Sequence, residues 1–433
     1  MRRTAWPSHR LVWLQLAARS AFSRRFALGL VAVAVALATF LILAVAQLRN
    51  DMRTGFSSAV AGVDLIVGAP ASPTELMLYT VFHVGRPVRS IPFDAYERMV
   101  QMPQVRWAVP LQLGDSYRGY PVVGTIPMFF AHGAGGRAMA FDTGGPFAGV
   151  FDVVLGADVA QGTAARVGAR IVLTHGRGDG LAGEHDDTPF TVSGVLARTG
   201  TPVDRTVLIS LAGFEAMHVG WEFGSRPRST RSGVDGGASA IPNLSRLEPE
   251  RVSAVLIGLE SRAQVFAARR AIESMQPFRL MAVMPGVTLD ELWQVLAFVE
   301  TVLLVMAWLV ALSAALGVAA TLMVATASRR RELAIFRALG ASPASILLLT
   351  VAESVMVCLA GILAGWLSLQ LTIILVSDAL RGLTGLEVLP RAPDASGWIA
   401  LLGLLLAACL AGLIPAWRAY RMALHDGLHP PAA

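Results

Sequence analysis

Four long hydrophobic segments limit what this chain can fold into. They cover about residues 26–48, 292–327, 346–377 and 398–417. Because about 20 apolar residues cross the hydrocarbon core of a bilayer as an α-helix, each segment is long enough to span it. The 433 residues are 54% hydrophobic and 15% charged, and their mean hydropathy is +0.57. The sequence therefore predicts an α-helical membrane protein with four transmembrane helices and a sizeable polar domain.

Arginines orient the four segments. They cluster before the first segment, in the loop after the second (residues 328–345), and in the tail after the fourth (residues 418–433). Since basic residues flank the cytoplasmic ends of membrane spans, both termini are predicted to be cytoplasmic. Residues 49–290 and the short connection 378–397 are then extracytoplasmic.

The start of the chain predicts an interfacial helix followed by an anchor. Residues 1–25 combine arginines with one apolar face, which is typical of a helix lying on the inner leaflet. That face consists of Leu11, Leu14, Ala18 and Phe22. The first hydrophobic segment is interpreted as a retained span and not as a signal peptide, because its apolar run is long and no small-residue cleavage site stands out.

Composition excludes several kinds of function. The chain contains no lysine, whereas a phosphate-binding P-loop needs one, so any ATP hydrolysis would require a separate chain. The basic excess lies beside hydrophobic segments, which is not the pattern of a nucleic-acid-binding surface. The two cysteines fall inside spans, and no catalytic spacing of Ser, His, Cys or carboxylates stands out. We therefore expect a non-catalytic chain with no cofactor of its own.

Residues 49–290 are predicted to form an α+β domain. Two strand–helix–strand runs bracket it: strands at 64–68 and 105–109 around a helix at 92–102, and strands at 252–259 and 279–283 around a helix at 262–275. This arrangement predicts a split β-α-β core. An inserted β subdomain is expected at about 120–217, with strands at 151–155, 170–173, 190–196 and 206–209. The Arg-, Ser- and Gly-rich stretch 223–249 is interpreted as a flexible loop.

The basic loop after the second segment is predicted to bind another protein. Leu333, Phe336 and Leu339 recur at helical spacing, which gives one apolar face. Gly340 suits the end of a helix, and Ser342 followed by Pro343 suits the start of the next one. The alternative is a loop that only sets topology through its charge.

Small and acidic residues inside the spans point to helix packing. Gly361 and Gly365 are four residues apart, which permits close approach of a second helix, within the subunit or at a dimer seam. Glu353 lies inside the third span, where the simpler interpretation is helix packing or pairing with an arginine. The alternative is a role in proton coupling. Glu300, near the outer end of the second span, is expected to be solvent-exposed.

Residues 175–187 carry several possible metal ligands. His175, His185 and Asp186 are the candidates, since imidazole and carboxylate bind divalent ions. The stretch is rich in glycine and lacks paired histidine spacing. A solvated loop is therefore the alternative.

Three motifs give the chain a family resemblance. The first is the loop motif 331–342, RELAIFRALGAS; the second is Glu353 with Gly361 and Gly365; the third is IPAWRA at 414–419. With the order of one span, a large external domain and three more spans, these motifs resemble the FtsX-like (MacB-type) permeases, the membrane subunits of type VII ABC transporters. The resemblance implies a MacB-like periplasmic core domain at 49–290 and an FtsX-like permease domain at 291–428.

The resemblance also implies partners and roles. A dimer, with itself or with a sister permease, would bind a separate ATPase that holds ATP and Mg²⁺, in a bacterial inner membrane and with a possible periplasmic partner protein. The ATPase would contact Arg331, Glu332, Leu333, Ile335, Phe336, Arg337, Leu339, Gly340 and Ala341. Glu353, Gly361, Gly365 and Pro415 would serve helix packing. ATP hydrolysis by the ATPase would move the external domain. This movement would export or extract a lipoprotein, lipid, peptide or small toxic compound. The alternatives are regulation of an envelope enzyme or partner without cargo and, on the His/Asp stretch alone, metal-related transport.

Overall fold

The computed structural model describes residues 25–85, 89–132, 136–175, 189–218, 247, 249–328, 342–384 and 388–421. Their helices are α1 Arg25–Val60, α2 Pro73–Val81, α3 Phe93–Val100, α4 Phe129–His132, α5 Ala157–Thr163, α6 Leu211–His218, α7 Val265–Glu273, α8 Pro285–Ser328, α9 Pro343–Thr384 and α10 Ala395–Arg421. Their strands are β1 Leu65–Gly68, β2 Ile91–Pro92, β3 Val105–Tyr117, β4 Tyr120–Thr125, β5 Phe141–Gly144, β6 Asp152–Leu155, β7 Arg170–Ile171, β8 Thr174–His175, β9 Phe190–Leu196, β10 Val207–Ser210, β11 Arg251–Val252, β12 Ala254–Leu259 and β13 Met281–Val283.

The chain divides into two compact units. The helical unit comprises Met1–Asn50, Leu296–Asp378 and Val388–Ala433, and the sheet unit comprises Asp51–Val295 and Ala379–Glu387. Each of the helices α1, α8 and α9 begins in one unit and ends in the other, so the boundaries fall inside continuous helices.

Among the described residues, four helices are long and apolar enough to cross a membrane. These are α1, α8, α9 and α10, and each contains one of the four predicted segments. Ser342 and Pro343 begin α9 as predicted, since Ser342 Oγ accepts a hydrogen bond from the Ser345 backbone N–H at 3.2 Å. The predicted fold class of four membrane helices with an α+β domain is confirmed.

The sheet unit contains the predicted split β-α-β core. Its strand order is β13-β1-β12-β3, and every neighbouring pair is antiparallel. The run β1–α3–β3 therefore leaves a gap that β12 fills, and the run β12–α7–β13 leaves a gap that β1 fills. Helix α3 is shorter than the predicted 92–102, and α7 follows a 3₁₀ turn at Arg262–Gln264.

Each face of this core sheet is covered. On one face, Ala95 and Met99 of α3 and Ala268 and Ile272 of α7 pack against the strands and are fully buried. The opposite face is covered by α2 together with the ends of α1 and α8 that belong to this unit. The burial of strand residues on both faces explains why their sequences read as continuous apolar runs.

The insertion is a β subdomain, as predicted. Strand β3 runs 13 residues and pairs with β4, after which the order continues β4-β10-β6-β9-β5. The strand predicted at 170–173 is shorter in the structure, where β7 covers Arg170–Ile171 and pairs with β9. A second short strand, β8, follows it and pairs with β3. The stretch 223–249 lies outside the described residues apart from 247 and 249.

Candidate functional site

The predicted ATPase-coupling residues lie outside the described residues, but the two helices that flank them are described. Helix α8 ends at Ser328 and α9 begins at Pro343. The residues concerned are Arg331, Glu332, Leu333, Ile335, Phe336, Arg337, Leu339, Gly340 and Ala341. The coupling assignment therefore stays a prediction.

Helix α8 is the element that links the loop to the sheet unit. It has 44 residues, or about 66 Å at 1.5 Å per residue, against a hydrocarbon core of about 30 Å. A single residue, Met284, separates it from β13, and it continues to the first residue of the basic loop.

The first turns of α8 are anchored within the sheet unit. The ring of Trp293 lies 5.6 Å from the ring of Phe56, and the guanidinium of Arg53 lies 5.5 Å from the Trp293 ring. Leu289 of α8 is buried in the same core. The first turns of α8 are therefore part of the hydrophobic core of the sheet unit.

In the helical unit, α9 lies against α1 at the two predicted glycines. A Cβ on Gly361 would lie 2.7 Å from Val35 Cβ, and a Cβ on Gly365 would lie 2.4 Å from the Ala36 carbonyl oxygen. Side chains at either position would force the helices apart. These glycines thus permit a close helix crossing inside one copy of the chain.

The inner part of α9 carries buried polar residues. Glu353 is 9% exposed, and its neighbours Thr350 and Ser354 are also buried. A Cβ on Gly412 of α10 would lie 2.4 Å from Ser354 Oγ, so α9 and α10 cross closely here. Helix α10 continues through Pro415 to Arg421.

The outer ends of the membrane helices are joined by polar contacts that the sequence patterns did not reveal. Arg49 Nη1 of α1 donates to Glu300 Oε1 of α8 at 2.7 Å, and the two side chains are 34% and 26% exposed. The expectation that Glu300 is simply solvated is therefore wrong. One signal for this pair was present in the sequence, since Arg49 directly follows the first apolar segment and Glu300 lies near the outer end of the second.

The predicted metal candidates are not brought together by the described residues. His185 and Asp186 lie outside them, and His175 is described only as the last residue of β8. Within the described part of the chain, no group of three His, Cys, Asp or Glu side chains could hold a metal ion.

The Asp115 side chain is fully buried, and its Oδ2 lies 3.4 Å from His218 Nε2. Burial raises the pKa of Glu215, and the charge of His218 partly offsets this rise.

Two family models match the chain. The MacB-like periplasmic core domain matches residues 27–275, more than half of the sequence, and the C-terminal domain of the FtsX-like permeases matches residues 304–424. The chain belongs to the MacB-like, FtsX-like permease family. It is thus a membrane permease whose sheet unit is a MacB-like periplasmic core domain.

Solved structures and curated proteins add little to this assignment. The crystal structure of the periplasmic region of MacB from Actinobacillus actinomycetemcomitans is 8% identical, with a TM-score of 0.33, and the match covers 54% of this chain and 95% of that chain. The extracellular domain of the noncanonic ABC-type transporter YknZ from Gram-positive bacteria is 12% identical, with a TM-score of 0.30, and the match covers 51% of this chain and 99% of that chain. No curated protein matches the chain. Since such TM-scores carry no argument on fold, the assignment depends on the two family models.

The two matched domains can be mapped onto the helices and strands of the structure. The permease model covers the second half of α8 and all of α9, with the loop between them, and continues through α10. The periplasmic-domain model covers α1 and the sheet unit through α7. The first half of α8, between the two models, carries Trp293 and Glu300.

Proposed function

We propose that this permease is the membrane subunit of an ABC complex that uses ATP hydrolysis by a separate chain to move its extracytoplasmic domain. The ATPase would bind the basic loop 329–341, and α8 would carry the movement to the sheet unit. The work would be done on an extracytoplasmic cargo. The complex would lie in a bacterial inner membrane with both termini of the permease in the cytoplasm.

The observation that carries this proposal is the continuity of α8 between the matched permease domain and the matched periplasmic domain. The helix has no break over 44 residues, and its first turns pack against the core of the sheet unit through Leu289 and Trp293. Pro285 at its start is compatible with helix because the first helical position needs no N–H donor. In this proposal, a push or pull at Ser328 would be carried along α8 to Trp293.

The sequence supports the proposal of a separate ATPase chain. It has no lysine for a nucleotide-binding P-loop, so we do not place the hydrolysing site within these 433 residues. One face of α8 remains exposed within a single chain, and a second permease copy is proposed to share it with lipid. That face includes Val302, Val305, Leu309, Leu312 and Leu316.

The test replaces two charged residues of the loop in the complex purified with its ATPase. Glu332→Ala with Arg337→Ala should abolish stimulation of ATP hydrolysis by the permease and leave membrane insertion intact. The matched control, Glu291→Ala with Arg279→Ala, removes the same two charges outside the loop and should keep full stimulation. Normal stimulation in the loop variant would overturn the proposed docking site.

A further inference from the structure

A set of polar contacts at one end of the helical unit links α1 to α8 and links α1 and α9 to the segment that leads into α10. We name it the outer collar and define it by Gln47, Arg49, Glu300, Gln370 and Asp394. Its ion pair joins Arg49 of α1 and Glu300 of α8 at 2.7 Å. Such a charge-assisted hydrogen bond is short and directional, so it fixes geometry as well as adding attraction.

Asp394 is a second carboxylate on which the charge of Arg49 acts. It caps α10, because its Oδ1 accepts the Gly397 backbone N–H at 2.7 Å and its carboxylate also accepts from Ser396 Oγ. The hydrogen bond from Gly397 lowers the pKa of Asp394 most, and the bond from Ser396 and the positive charge of Arg49 lower it further. Arg49 therefore pairs with a carboxylate of α8, and its charge also acts on the carboxylate that caps α10.

Two glutamines complete the outer collar. Gln47 of α1 donates to the carbonyl oxygen of Leu389 at 2.8 Å, and Gln370 of α9 donates to the carbonyl oxygen of Arg391 at 3.0 Å. Both acceptors lie in the segment that leads into α10. The segment is thus held by α1 and by α9.

The ion pair also stands in a regular position along α1 and α8. Seven residues further into the membrane on each helix are Ile42 and Ala307, and seven further again are Val35 and Ala314. All four are buried in one hydrophobic cluster. This heptad spacing is typical of antiparallel helices in register, and a single polar pair in such an apolar seam selects one register over others.

From this geometry we infer that Arg49 is a positioning residue that fixes the register of α1 against α8 at the outer collar. A slip of one helical turn would set Glu300 opposite Val45 and would separate it from the guanidinium. The role of this register in coupling depends on the proposed function above, since α8 can pull on the sheet unit only if it does not slide past α1. The register itself does not depend on that function.

The test measures register by disulfide formation in the full chain, in membranes, with Cys358 and Cys409 replaced by alanine. Val45→Cys with Leu304→Cys reports the native register, because both positions lie one turn inward from the ion pair. Leu41→Cys with Leu304→Cys reports a slip of one turn. With Arg49 present, the variant with cysteines at 45 and 304 should form the native disulfide. The variant with cysteines at 41 and 304 should form little of the slipped disulfide.

Arg49→Gln should lower the ratio of native to slipped disulfide by roughly fivefold, which corresponds to about 1 kcal/mol. Glu300→Gln should lower it to a similar extent, and Arg49→Lys should restore part of it. Arg270→Gln, the same charge change at an exposed residue of α7, should leave the ratio unchanged. An unchanged ratio in both Arg49→Gln and Glu300→Gln would overturn the inference, as would an equal fall in Arg270→Gln.

This result is separable from the ATPase test. The disulfide ratio is read without ATP or partner, so its failure would remove the register role and leave the proposed function standing. Conversely, normal ATPase stimulation in the Glu332/Arg337 variant would remove the proposed docking site and leave the register intact.

Discussion

The contact between α9 and α1 at Gly365 leaves no room for a methyl group. A Cβ there would lie 2.4 Å from the Ala36 carbonyl oxygen and 2.7 Å from Thr39 Cβ. Neither atom can rotate away, because one belongs to the backbone and the other is fixed to it. Since heavy atoms make favourable contact near 3.5 Å, Gly365→Ala should push the helices apart by about 1 Å.

The cost of this separation can be bounded. Overpacking of a close-packed site typically costs about 1–3 kcal/mol. Alanine recovers up to about 1 kcal/mol through its higher helix propensity. We therefore expect Gly365→Ala to lower the free energy of unfolding by about 1–2 kcal/mol. Gly361→Ala should cost less, because its nearest backbone atom, the Ala32 carbonyl oxygen, lies 2.8 Å from the added Cβ.

The assay is reversible unfolding of the full chain in mixed micelles with increasing SDS, followed by circular dichroism. Gly317→Ala on α8 is the matched control, since a Cβ there would meet no described atom within 4 Å. It should be neutral or slightly stabilising. Equal stability of Gly365→Ala and Gly317→Ala would refute the close crossing of α9 and α1.

Two further predictions concern other parts of the chain. Trp293→Ala should destabilise the sheet unit by about 2–3 kcal/mol in thermal unfolding, because it removes a ring that packs on Phe56 and Arg53. The control is Trp398→Ala, which should cost much less because that side chain is 59% exposed. Equal losses of stability in the two variants would contradict this packing. Asp394→Ala should cost about 1 kcal/mol through loss of the α10 cap. Because the pKa of Asp394 is lowered in the fold, its contribution to the free energy of unfolding should be complete above its ordinary pKa of 3.8. This contribution should fall as the pH drops through the lowered pKa. A stability difference between wild type and Asp394→Ala that is the same at low and neutral pH would contradict this prediction.

The sequence was most informative where the physical signal is local. Length and hydropathy alone located α1, α8, α9 and α10, since nothing but a bilayer-spanning helix accommodates such runs. The split β-α-β core followed from alternating strand and amphipathic helix patterns. The short helix α2 was not predicted because Leu76, Met77 and Tyr79 are all buried, so it shows no polar face.

Other features could not be predicted because they depend on tertiary contacts. Strand β3 was predicted to end at Val109, yet it continues to Tyr117 because β12 and β4 pair with it on both sides. The pairing of Arg49 with Glu300 joins residues 251 positions apart, which no local pattern encodes. The contacts of the basic loop with an ATPase remain a prediction.

The central claim is that ATP turnover in a separate chain moves the extracytoplasmic domain relative to the membrane helices. It is tested most directly by electron paramagnetic resonance distances between spin labels at Arg270→Cys in α7 and Ala392→Cys before α10, with Cys358 and Cys409 replaced by alanine and the permease reconstituted with its ATPase. ATP should shift the distance distribution, and Glu332→Ala with Arg337→Ala should abolish the shift. An unchanged distribution while ATP is being hydrolysed would contradict the claim.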